Sequence, residues 1–104
     1  MRVLTELIEK AHDTMEEIEW YAEKAMSLRM DHKDLADCYI KIAEAHIDIY
    51  RCLHEQMIDL INEEKKNGAH PPVEMVAVWN YEHERLSKEF RESKVLVEEY
   101  KKSY

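Results

Sequence analysis

Apolar residues recur along the start of the chain at Leu4, Ile8, Ala11, Met15, Ile18, Ala22 and Ala25, in alternating steps of four and three. That spacing marks a helix burying one narrow stripe, as in a coiled-coil seam. Glu6, Glu9, Asp13, Glu16, Glu17 and Glu23 fall largely outside the stripe, which leaves the opposite face solvated. The pattern predicts a first helix over residues 3–30. A polar break follows at Arg29–Asp34, with Asp31 the expected N-cap and Asp34 an acid in the next first turn.

The second predicted helix, residues 33–66, carries two apolar seams. One runs Leu35, Tyr39, Ile42, His46, Ile49, Leu53, Met57, Leu60; the other runs Ala36, Ile40, Ala43, Ile47, Tyr50, then Ile58 and Ile61. Two adjoining seams predict a middle helix packed on both neighbours. Asn67-Gly68-Ala69-His70-Pro71-Pro72 is the sharpest punctuation in the chain, with a left-handed C-cap at Asn67 or Gly68 and prolines that forbid continuation. A third helix, residues 72–103, follows on the seam Val76, Trp79, His83, Leu86, Phe90, Ser93, Val97, Tyr100 and Tyr104. Short connections make sequential helices antiparallel. The expected fold is therefore all-α: one domain over residues 1–104, built as a bundle of three long antiparallel amphipathic helices. Ile42, Ile49, Leu53, Leu86 and Phe90 are the expected core.

Composition narrows this picture further. The single Gly and both Pro of the 104 residues lie in the second break. An all-β fold needs turn residues along the whole chain, and a phosphate-cradling loop needs clustered glycines. The net charge of −8 disfavours direct binding to nucleic acid or an anionic membrane. Cys38 and Cys52 sit about 21 Å apart along one helix, too far for a disulfide, and read as small buried residues in a reducing compartment. No stretch is apolar enough to span a membrane, and the acids near Met1 disfavour a signal peptide, so a cytoplasmic location is expected.

Candidate chemistry is sparse. Glu9, His12, His54, Glu55, His83 and Glu84 fall at similar heights on three helices, a possible set of nitrogen and carboxylate metal ligands. A di-iron bundle needs a second Glu-x-x-His besides Glu9–His12, and none is present. The favoured reading is of hydrogen-bonded seam histidines, with no metal and no cofactor. The serines lie in helical contexts without a strand–turn elbow, and no catalytic residue is assigned. Trp20 lies off its seam among glutamates, and Val73, Met75, Val76, Ala77, Val78 and Trp79 are apolar on nearly every face. Trp20, Val73, Met75, Val78, Trp79 and Tyr81 are therefore the expected partner or homo-oligomer interface. Arg85, Lys88, Arg91 and Lys94 form a basic series interleaved with glutamates, read first as intrahelical ion pairs and second as a surface for an anionic ligand.

Residues 34–104, through Ile42-Ala43-Glu44-Ala45-His46, Glu63-Glu64-Lys65-Lys66-Asn67-Gly68, Pro71-Pro72 and Val78-Trp79-Asn80-Tyr81-Glu82-His83-Glu84, resemble small uncharacterised helical proteins encoded by tailed phages and prophages of Gram-positive bacteria. The resemblance carries no catalytic motif. It implies a non-enzymatic accessory protein acting in the host cytoplasm by binding, as a homo-oligomer. The leading expectation is a counter-defence or host-takeover factor that binds a host protein. The alternatives are an oligomeric sponge for an anionic nucleotide signal, a metal-binding bundle, and a virion or packaging component.

Overall fold

The computed structural model describes residues 2–66 and 73–102, with side chains at 3–63, 77 and 79–102. Three helices make up this part of the chain: α1 (Arg2–Leu28), α2 (Lys33–Lys66) and α3 (Val73–Lys102). The described residues contain no strand. The molecule is a rod, 56 Å long and 18 by 17 Å across. None of the helices is long and apolar enough to cross a membrane among the described residues.

The α1 stripe is buried as its spacing dictates: Leu4, Ala11, Met15, Ile18, Ala22 and Ala25 are fully covered, and Ile8 packs against them. Alanines at three of these positions, facing Ala36 and Ala43 of α2 in the same core, let the two backbones approach closely. Trp79, Leu86, Ser93, Val97 and Tyr100 supply the α3 side of the core, and Phe90 is partly buried beside them. The register is fixed by contacts between helices. The Tyr21 ring meets those of Tyr39 and His46, 5.4 and 5.8 Å between centroids. Tyr100 donates its hydroxyl hydrogen to Asp37 Oδ1 at 2.7 Å, and Lys101 Nζ pairs with Glu44 Oε2 at 2.7 Å. Ser93 Oγ donates to Met15 Sδ at 3.6 Å.

The structure corrects several expectations. The turn after α1 is closed by His32, whose N–H bonds the Leu28 carbonyl at 2.8 Å and whose carbonyl accepts from Ala36 N–H at 2.9 Å. His32 thus takes the cap position expected of Asp31. α2 is not a middle helix covered on both seams, because α3 lies closer to α1 than to α2. Its second seam, from Ala36 through Ile40, Ala43 and Ile47 to Tyr50, carries the core. On its first seam Met57 is buried, Ile42 and Leu53 are only half-covered, and Ile49 and Leu35 remain 48% and 43% exposed. Cys38 and Cys52 are free thiols on that same outer face, exposed rather than buried in the core. The second break and its caps at Asn67–Pro72 lie outside the described residues.

Candidate functional site

Histidines and carboxylates do not converge on three helices. His12 stays on α1, with Nδ1 3.5 Å from Glu16 Oε1, and among the described residues its ligand atoms gather with those of Asp13 and Glu16 alone. That trio is exposed apart from the half-covered His12, an arrangement common on acidic helices without a metal. His54 and His83 do meet, stacked with ring centroids 4.8 Å apart, while Glu9, Glu55 and Glu84 stay on the surface. His46 makes the intrahelical bond expected of a seam histidine, its Nδ1 lying 2.9 Å from the Ile42 carbonyl.

The His54–His83 pair belongs to an aromatic ladder between α2 and α3. Tyr50 stacks on Phe90 at 4.5 Å and on His54 at 5.8 Å. Arg51 lays its guanidinium 5.8 Å from the Phe90 centroid, within cation–π range. Antiparallel packing accounts for this geometry: Tyr50 and His54 are one turn apart on α2, and Phe90 and His83, about two turns apart on α3, flank them from either end.

A groove opens over the ladder. Tyr50, Arg51, His54, Glu55, Ser87, Phe90 and Arg91 line a cavity of about 290 Å³. It adjoins a second, of about 450 Å³, through the shared Ser87 and Arg91, with His83, Glu84 and Lys88 beyond. On the other side Arg51 and Lys94 continue the groove past Asp48 and Glu98. Three members of the basic series, Lys88, Arg91 and Lys94, therefore edge one groove. Arg85 does not join them as a groove-lining cation. Its Nη2 binds Glu82 Oε2 at 2.9 Å, the intrahelical pairing that the series suggested.

Two polar atoms in the groove wall are buried without a hydrogen-bond partner: Tyr50 Oη and His54 Nε2. Each is a cost that a ligand or a water can relieve. Burial and nearby Glu89 push the Tyr50 phenol up to about 12, so it stays a protonated donor. Burial, then the neighbouring His83, lowers the His54 pKa against a smaller opposing pull from Glu55. His54 is thus biased towards its neutral form. Cations at the rim, rings on the floor and unsatisfied donors within can hold a small anion that also carries a flat ring. Sequence reading missed Tyr50, Arg51, Ser87 and Phe90 as groove residues. Their only signal was equal height on antiparallel neighbours.

The expected interface residues divide. Trp20 is 51% exposed, its ring braced by Tyr21 and Tyr39 at 5.0 and 5.9 Å. Tyr81 is likewise exposed, but Trp79 is only 4% exposed and its ring is enclosed by its own chain. The side chains of Val73, Met75 and Val78 lie outside the described residues. Comparison with protein-family models, curated proteins and solved structures gives no match. The groove's own chemistry therefore carries the functional reading.

Proposed function

We propose that this chain is a non-enzymatic binding protein that holds a small anionic, ring-bearing ligand of nucleotide type in the α2–α3 groove. The observation that carries the proposal is the pairing of Arg51 and Arg91 at one cavity with the unpartnered Tyr50 Oη and His54 Nε2 in its wall. Phosphate oxygens would sit between the guanidiniums, and a ring would lie against Phe90 and His54. No bond is made or broken in this reading; the protein sequesters its ligand.

The test is calorimetric titration with ATP, a cyclic dinucleotide and pyrophosphate. Both nucleotides should bind, pyrophosphate more weakly because it has no ring, and the Arg51→Glu/Arg91→Glu variant should lose binding at unchanged helix content. Absence of nucleotide binding, or binding indifferent to the double reversal, would refute the proposal.

Trp20 favours a second reading, docking of a host protein, because a half-exposed tryptophan held by two tyrosines suits an interface anchor. Trp20→Ala should abolish capture of such a partner and leave nucleotide binding intact. The reverse result would reject both assignments.

A further inference from the structure

The outer face of α2 carries an apolar stripe that the described residues leave largely open. Leu35, Ile42 and Ile49 recur every seven residues, and Cys38, Ala45 and Cys52 recur beside them at the same interval. Five of the six are exposed and Ile42 is half-covered. On a helical wheel the stripe points away from Ile40, Ala43 and Ile47, which face the core. Steps of three and four make it a complete coiled-coil seam, with large residues along one edge and small ones along the other.

We infer that this seam pairs antiparallel with the same seam of a second copy. A two-fold axis between residues 43 and 44 sets Leu35 opposite the partner's Cys52, Cys38 opposite the partner's Ile49, and Ile42 opposite the partner's Ala45. Every layer then matches a large side chain with a small one, so the two helices can approach closely. A shift of one heptad in either direction leaves part of the stripe unmatched, and in one direction sets Leu35 against the partner's Asp59. Parallel pairing would put Ile on Ile and Ala on Ala, alternating bulges and voids.

The inner flanking charges are complementary in this register. Beside the small edge run Lys41, Asp48 and Glu55, all exposed. In an antiparallel pair like flanks face each other, which brings Lys41 opposite the partner's Asp48, twice about the axis. Asp48 has a 3.8 Å contact with Arg51 on its own helix, loose enough to be shared. The outer flank pair, Asp34 with the partner's Glu55, is like-charged and exposed and weakens the ends. The opposite flank pairs Tyr39 with the partner's His46.

The strip from Leu35 to Leu53 is about 27 Å long. Covering it and its flanks removes on the order of 1,000 Å² across both copies, the lower edge of specific interfaces. A reversible dimer at micromolar concentration is the expected result. The seam residues themselves lie outside the ligand groove, while the flank residues Asp48 and Glu55 border both surfaces.

Sedimentation velocity across a micromolar concentration series tests it. Wild type should move from monomer to dimer, and Ala45→Glu should stay monomeric with unchanged helix content. Lys41→Asp or Asp48→Lys alone should weaken association by about tenfold, and the two together should restore it. Direction is read by oxidation. Leu35→Cys with Cys38→Ser should give a disulfide-linked dimer through the partner's Cys52, whereas wild type should not cross-link Cys38 to Cys38. A wild type that remains monomeric, a dimer indifferent to Ala45→Glu, or ready Cys38–Cys38 linkage would overturn the inference.

Discussion

Two stripes of α2 have nearly the same heptad rhythm and opposite fates. Ala36, Ile40, Ala43, Ile47 and Tyr50 are enclosed by α1 and α3. Leu35, Ile42 and Ile49, a third of a turn or more around the helix, face outward with two thiols beside them. Periodicity states that a face is suited to burial; it does not state what buries it. The difference arises because α3 packs more on α1 than on α2, with a Ser93–Met15 contact between them, and so leaves the far side of α2 open. A covered stripe holds the monomer together. The open one is available to a second molecule.

The largest separation between the two stripes is expected from truncation. Ile40→Ala on the covered stripe, like Leu86→Ala in the α3 part of the core, should cost about 2–5 kcal/mol in chemical denaturation, through lost burial and the cavity left behind. Ile49→Ala, measured dilute enough to be monomeric, should cost less than about 1 kcal/mol. Leu53→Ala, half-covered, should fall between them at about 1–2 kcal/mol. Equal costs at Ile40 and Ile49 would show that the stripes do not differ.

Enlargement sharpens the same contrast from the other side. Ala43→Leu has no room between α1 and α2 and should cost about 1–3 kcal/mol. Ala45→Leu, two residues on, has open solvent before it and should leave the monomer's denaturation midpoint unchanged.

The smallest effect concerns the polar boundary of the covered region at His54. Its pKa is lowered in the folded chain, so the unfolded chain binds a proton first as pH falls. Stability from this group is therefore full above the ordinary histidine range and declines as pH drops through it towards the folded value. His54→Phe should flatten that decline in a pH series of thermal midpoints. Glu19, raised mainly by burial and by Glu23, acts with the opposite sign, in the lower carboxylate range. An anion in the groove favours protonated His54 among Arg51, Arg91 and His83, so nucleotide binding should tighten as pH falls from neutral. Binding that weakens on acidification would remove His54 from the site.

Much of the fold was legible in the sequence. The α1 stripe, most of the α3 seam and the first break follow from local spacing and turn chemistry, which need only the chain's own geometry. What could not be read was which of the two α2 seams would be enclosed. They differ little in hydrophobicity, and the choice depends on how α3 docks. Ile42, Ile49, Cys38 and Cys52 were misplaced for that one reason. The His32 cap was missed because Asp31 is the better capping residue by type, while the turn length selects its neighbour. At the site, the basic series was visible as a row on one helix. Its partner Arg51 and the Tyr50–Phe90 floor arise from pairing between helices, so only three of the four basic residues could be combined with them correctly.

The contrast between the two stripes rests most directly on one charge placed two residues apart. Ala43→Glu and Ala45→Glu add the same side chain to the same helix and should be melted side by side over a range of protein concentrations, followed by circular dichroism. The first should fail to fold cooperatively, since it buries a carboxylate in the α1–α2 contact. The second should keep full helix content, and its melting temperature should lack the concentration dependence predicted for the wild type. If both substitutions are tolerated alike, or both unfold the chain, α2 does not have one closed face and one open one.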